Sequence, residues 1–334
     1  MRDQEKAFAL FRLLQVAGVG PSRLRSIVSL AEDLRTSLPE IVDNPDNLGT
    51  VLNREQIRDL RANATQSREV WQKLRDQNVA TLTFFDPDYP DSLRTLLGKQ
   101  APPLLFVLGN VALLRRPSLG FCGSRKASEK GLAVAQECSE LVSKEGINVV
   151  SGYAAGVDMA THRAALKSGG TTALILAEGI LHFRIKQDLK EFWDWQRVVV
   201  VSQYSPGLTW SVHNAMSRNQ TICALCRAMV LIEARESGGS MEAGRTCLKL
   251  GVPLFAPVYE SMPDFATGNR ILLGAGARSL YKNKATSLPN LRSLMSAFQT
   301  SSVESSPATS TPLWLESDSH SSVSARHRPE KSLT

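Results

Sequence analysis

Six short, continuously apolar runs, "LGFC", "NVVS", "TALILA", "RVVVVS", "AMVLIEA" and "PLFAP", lie between residues 119 and 257, and a segment of helical period follows each. Strands without polar alternation have both faces covered, which means parallel strands joined by helical crossovers. Because such crossovers are right-handed, the pattern predicts an α/β fold: an extended, Rossmann-like, doubly wound parallel sheet. Upstream, a helix through "SREVWQKLRDQ" precedes two further strands, "VATLTFF" and "PPLLFVLGN", separated by the turn "DPDYPDSL".

The two ends of the chain read differently from this middle part. In residues 1–65, Phe8, Phe11, Leu14, Leu24, Ile27, Val28 and Leu30 recur at three- and four-residue intervals, which predicts a small helical (helix-hairpin-helix or SAM-like) domain. Its "VAGVGPSRLRSIV" supports two readings: a Gly-apolar-Gly turn that approaches a phosphate, or a tight interhelical turn with Pro21 at a helix start. Residues 66–284 form the sheet domain. From 285 to 334 the chain is Ser-rich and has too little apolar material to offset its ordering entropy, so it reads as a disordered tail. Within that tail "LPNLRSLMSAF" fits one last helix, and "PLWLE" fits a short docking motif.

In a parallel sheet all carboxyl ends lie on one edge, so residues that follow different strands meet there. Three such positions are small and polar: Gly123-Ser124-Arg125, Ser151-Gly152 and Ser237-Gly238-Gly239-Ser240. Each precedes a helix, whose first turn offers unpaired N–H groups and a positive dipole end. Together they describe a composite anion site with Arg125 as its fixed cation. Separately, each is an ordinary turn or helix cap. Arg218 and Asn219, in "MSRNQTICAL", either reach the same ligand or tie loops together.

Charge and cysteine usage narrow the function. A formal net charge of +7 makes a polyanionic partner plausible. No run has signal-peptide or membrane-spanning character, so a cytoplasmic protein with no membrane association is expected. Cys122, Cys138, Cys223, Cys226 and Cys247 are scattered and odd in number, which does not suggest a disulfide framework. Cys223 and Cys226 form a C-x-x-C without the second ligand pair that zinc requires, so they read as buried thiols and no metal is expected. The dinucleotide fingerprint G-x-G-x-x-G is absent after the first parallel strand, which argues against a nicotinamide cofactor, and no other cofactor is expected.

Taken in order, "GSRKAS", "VVSGYAAGVDMATHRAAL", "SRNQ" with the "VLIEA" strand, and "SGGSMEAGRTCLKLGVPLFA" resemble the DprA/Smf family of DNA-processing proteins. The resemblance spans roughly residues 8–282. It implies a non-catalytic protein that binds single-stranded DNA, hands it to a RecA-type recombinase and acts as a homodimer. By position, Gly123, Ser124 and Arg125 would hold a phosphate at a helix N-terminus, with Ser128 supporting the turn. Ser151 and Gly152 would complete the pocket, Arg218 and Asn219 would contact the strand, and Asp158 with His162 would be a structural pair. The sequence departs from the family where it has Ala155 for an arginine, Ala215 and Gln220 for an aromatic and a second arginine, and Glu242 for a threonine. The Ser-rich tail likewise replaces the winged helix of many members. Trp210 and His213 lie close enough to substitute for the lost ring, although a buried tryptophan is the commoner case. A second likeness, of "SGGSMEAGR" to Rossmann-like (LOG-like) nucleotide sensors and nucleoside-monophosphate phosphoribohydrolases, implies Glu242 as the alternative catalytic residue.

Overall fold

The computed structural model describes residues 2–259 and 264–300. The apolar runs form the strands β1 (Ala80–Thr83), β2 (Leu104–Gly109), β3 (Ser118–Cys122), β4 (Asn148–Ser151), β5 (Thr172–Ile175), β6 (Val198–Ser202), β7 (Ala228–Leu231) and β8 (Leu254–Pro257). A short β9 (Arg278–Leu280) completes one sheet of order β1-β2-β6-β5-β4-β3-β7-β8-β9. From β3 to β9 all pairing is parallel, whereas β1 and β2 run antiparallel beyond β6. The chain winds outward from β3 through β4 and β5 to β6, then crosses back and winds the other way from β7 to β9. The topological switch point therefore lies between β3 and β7, where open α/β sheets leave a crevice at the strands' carboxyl ends.

Thirteen α-helices accompany the described strands. The N-terminal five are α1 (Arg2–Leu14), α2 (Pro21–Asp33), α3 (Leu38–Asp43), α4 (Arg54–Ala62) and α5 (Ala64–Asp76), and α6 (Asp91–Leu97) lies between β1 and β2. Then come α7 (Glu129–Lys144), α8 (Val157–Lys167), α9 (Gln187–Lys190), α10 (Val212–Leu225), α11 (Gly239–Lys249), α12 (Thr267–Gly274) and α13 (Arg292–Thr300). Alternation of strand and helix is not strict: the β5–β6 connection holds only a 3₁₀ turn and the single-turn α9. β9 was missed because three residues with an exposed Arg278 carry no apolar run.

The core does not divide at residue 65. α1 places Leu10 and Leu13 in the layer that also holds Leu105, Val150 and Met229, while its Ala7 and Phe11 join Phe106, Leu174 and Val200 on the other side. Neighbouring strand residues point to opposite faces, so a helix with two apolar stripes at the sheet end belongs to both layers. The "GVGP" segment takes the tight-turn form: Gly18 has φ +76°, Gln56 donates to the carbonyl of Ala17, Arg23 donates to that of Gly18, and Pro21 opens α2. The predicted tail is ordered in its first part. Leu294, Ala297 and Phe298 of α13 are buried in the layer that holds Phe121, Val149 and Phe255. Helical spacing of those three residues outweighs the local serine content. "PLWLE" lies outside the described residues.

Candidate anion-binding site

At the switch point the carboxyl ends of β3 and β7 border a cleft of about 580 Å³. Gly123, Ser124, Arg125, Arg218, Asn219, Ser237, Gly238, Gly239 and Ser240 all line it. Lys126, Asp158, Glu233 and Arg235 line it as well, so four cationic side chains face two carboxylates.

Both carboxylates are engaged by the protein itself. Glu233, fully buried at the end of β7, accepts hydrogen bonds from the Ser128 backbone N–H at 2.9 Å and the Ser128 hydroxyl at 2.5 Å. Ser128 in turn accepts from Gly131 N–H as the N-cap of α7. The α7 N-terminus thus already holds an internal anion, and Gly123-Ser124-Arg125 sits on the preceding loop rather than in the first helical turn. Asp158 occupies the start of α8, where it accepts from the Ser151 hydroxyl at 3.0 Å and from Ala154 N–H at 3.1 Å. The N-terminus of α11 differs: Gly238 (φ +107°) precedes it without any side-chain cap, and a Cβ on Gly238 or Gly239 would meet only open space. Its unpaired N–H groups and dipole end face the cleft uncovered.

Ser151 and Gly152 do not complete the pocket. Ser151 is fully buried, and its hydroxyl faces the Phe121 carbonyl and Asp158. Gly152 acts as a floor: a Cβ there would lie 1.9 Å from Arg218 Nη1 and 2.3 Å from Asp158 Oδ2. Arg218 depends on that space. It sits on the inward stripe of α10, four residues from Asn214 and from Ile222, and is only 5% exposed. Burial pulls its guanidinium pKa down, opposed by the negative charge of Asp158. Its Nε and Nη1 have no hydrogen-bond partner. Leaving such donors unpaired costs on the order of a kcal/mol or more each. Asn219 instead ties loops, its side-chain amide donating to the Gly239 carbonyl at 3.2 Å.

Around this centre, Ser124 Oγ accepts from Lys126 N–H and braces the loop. Arg125 is exposed and lies 5.0 Å from the ring centroid of Trp210. Trp210 is not buried: 44% of it is exposed, because it lies on the loop before α10, outside the layers. His213 is exposed and does not line the cleft. His162 is buried, with Nε2 donating to the Gly152 carbonyl at 2.6 Å and Nδ1 at 2.7 Å from the Thr172 hydroxyl. Burial holds its pKa down at about 4, so the neutral ring locks the backbone beneath Arg218. Glu242 is exposed on the first turn of α11, outside the residues that line the cleft. The sequence reading missed the role of Glu233, although a carboxylate ending an otherwise apolar strand is itself a signal. All five cysteines are buried, and the Cys223 and Cys247 sulfurs lie 2.9 Å apart. Among the described residues no group of three His, Cys, Asp or Glu could hold a metal ion, and no helix is long and apolar enough to cross a membrane.

Residues 80–298 match the family described as DNA recombination-mediator protein A. The chain is 30% identical over 204 residues to DNA processing protein DprA of Streptococcus pneumoniae, covering 60% of this chain and 71% of that one. The X-ray structure of DNA processing protein A from Streptococcus pneumoniae superposes with a TM-score of 0.67 at 25% identity, covering 82% of this chain and 94% of that one. DNA processing protein A from Helicobacter pylori, described for its single-stranded DNA binding mode, shares the fold with a TM-score of 0.52 at 22% identity. That match covers 66% of this chain and 94% of the other.

Proposed function

Since the chain belongs to the DNA recombination-mediator protein A family, we propose that it binds single-stranded DNA in the switch-point cleft and delivers the strand to a RecA-type recombinase, as a cytoplasmic homodimer without catalysis of its own. The observation that carries the DNA-binding part is Arg218, a buried guanidinium with two unpaired donors lining a cleft beside an uncapped helix N-terminus. A backbone phosphate fits both features, as the anion at α11 and as the charge partner toward which Arg218 would turn its buried donors. Arg125, Lys126 and Arg235 on the cleft wall track neighbouring phosphates. Exposed Trp210, beside Arg125, offers a stacking face that an unpaired base can reach and a paired one cannot. The single-stranded DNA binding described for the Helicobacter pylori relative supports the same ligand class. Recombinase delivery and dimerisation rest on the family resemblance.

The test is fluorescence anisotropy with labelled oligo-dT and with a duplex, at low and moderate salt, for the native protein and Arg218→Ala. Expected is preference for the single strand that declines with salt and with the substitution. Preference for duplex, or tight binding that Arg218→Ala leaves unchanged, would refute the proposal.

A further inference from the structure

Beside the cleft, and sharing Arg125, Ala154 and Arg218 with it, lies a smaller cavity of about 240 Å³. Its remaining wall includes Trp210, Tyr153, Ala155 and Glu178. We propose that this cavity receives one base of the bound strand and selects guanine, with Trp210 as the stacking face and the Glu178 carboxylate as the specificity-determining group. The inference rests on the strand-binding reading.

Three observations carry it. First, Arg218 lines both chambers, so a phosphate held by it places an attached nucleoside at the mouth of the second. Second, the cavity is built rather than incidental. The Glu178 and Trp210 segments are joined by backbone hydrogen bonds from Gly179 N–H to the Leu208 carbonyl at 2.7 Å and from Leu181 N–H to the Pro206 carbonyl at 3.0 Å. They pack so closely that a Cβ on Gly179 would lie 2.2 Å from the Pro206 carbonyl oxygen. Ala155 adds only a methyl group to the wall. Third, the Glu178 carboxylate, half-buried on that wall, accepts no hydrogen bond and pairs with no cation among the described residues. The nearby Lys186 donates to the Tyr153 carbonyl at 2.6 Å and attracts the Glu178 carboxylate through space without forming an ion pair with it.

An ionised carboxylate only accepts hydrogen bonds, so it selects for donors. Guanine alone presents two adjacent donors, N1–H and the 2-amino group, and these match a carboxylate in a bidentate pair. Adenine and cytosine offer one amino group next to an acceptor that the carboxylate repels, and thymine flanks its single N–H with two carbonyls. The same chemistry is available from a guanine in a DNA strand or from a free guanosine monophosphate.

The experiment is a competition titration by anisotropy: oligo-dT against the same oligonucleotide carrying a single dG, or deoxyinosine, which lacks the 2-amino group. Expected is roughly tenfold tighter binding of the dG strand, the effect of one bidentate base contact, with deoxyinosine intermediate. Glu178→Gln, which keeps the shape and removes the charge, should bring the dG to dT affinity ratio to about one. Equal affinity for the dG and dT strands, or a ratio that survives Glu178→Gln, overturns the guanine pocket and leaves strand binding standing. If no oligonucleotide binds, strand binding itself fails. GMP against TMP then decides the pocket: Glu178-dependent preference for GMP sustains it on the free nucleotide, and no preference overturns it.

Discussion

The two edges of the sheet carry clefts of similar size and similar charge, yet only one of them is fit to hold an anion. At the strands' amino ends a groove of about 490 Å³ is lined by Arg115, Arg116 and Arg227. Two of them have polar partners there and the third lies against an aromatic ring. Arg115 pairs with Asp88 at 3.2 Å, Arg116 donates to the Gly146 carbonyl at 3.0 Å, and Arg227 lies over the Phe298 ring. The groove also lies at the carboxyl ends of α10 and α11, where unpaired carbonyls and the negative dipole end disfavour an anion. At the opposite edge Arg218 is buried with donors unspent, and the N-terminus of α11 presents N–H groups. Counting arginines does not separate the two sites, whereas asking which guanidinium is buried with unpaired donors does.

The comparison breaks most readily at Arg218. Arg218→Ala removes the charged partner of a desolvated phosphate and should cost about 4 kcal/mol, roughly a thousandfold in oligo-dT affinity. The folded state should gain or hold stability, because two unpaired buried donors leave with the side chain. Equilibrium binding and thermal melting, measured on the same sample, read both. A variant that loses stability in step with affinity would show that Arg218 is structural.

A second effect comes from pH, through the floor of the cleft. His162 has a folded pKa of about 4, below the ordinary histidine value of about 6.5. Between those values the unfolded chain binds the proton and the folded one does not, so stability rises with pH across this window. The contribution is fully present above about pH 6.5 and is lost as pH falls toward 4, amounting to about 3 kcal/mol. Melting curves from pH 7 to 4 should show this decline, reduced in His162→Gln, which keeps a donor for the Gly152 carbonyl. Parallel pH profiles for the two proteins would remove His162 from the account.

The fold was largely legible because its strands are short, apolar and buried on both faces, which is what "RVVVVS" and "AMVLIEA" declare. That the residues after β3 and β7 meet in one cleft followed from topology. Hidden from the sequence was the internal use of the carboxylates. Nothing local to Ser128 says that its N–H and hydroxyl meet Glu233, 105 residues away, and so fill the α7 N-terminus. Gly152 was misplaced for a related reason. A glycine after a strand reads as a ligand approach, but here the close neighbour is an arginine from α10. The exposure of Trp210 was hidden because it lies in the loop between β6 and α10, where no periodicity marks a buried face.

Trp210 tests whether the carboxyl edge reads bases as well as phosphates. Stacking of one base on an aromatic ring is worth about 1–3 kcal/mol, so Trp210→Ala should weaken oligo-dT binding about tenfold, and Trp210→Phe should recover most of it. Duplex binding should move much less, because paired bases do not reach the ring. Equal losses for both ligands would mean that the ring only positions Arg125, its cation–π neighbour.

The smallest effect is expected at the amino edge, and it is the sharpest control on the comparison. Arg115→Ala with Arg116→Ala removes two positive charges, as many as Arg125 and Arg218 supply to the other cleft. If net charge alone drew the strand, this double variant would weaken binding and flatten its salt dependence as much as substitutions at the carboxyl edge do. Both side chains are exposed and already paired within the protein. Their influence on a ligand farther than about 10 Å away is screened at 0.1 M salt. Oligo-dT affinity at that salt should therefore stay within about twofold of the native value, with the same slope of log affinity against log salt. A slope reduced by about two would place phosphates on the amino edge as well and extend the DNA path across both ends of the sheet.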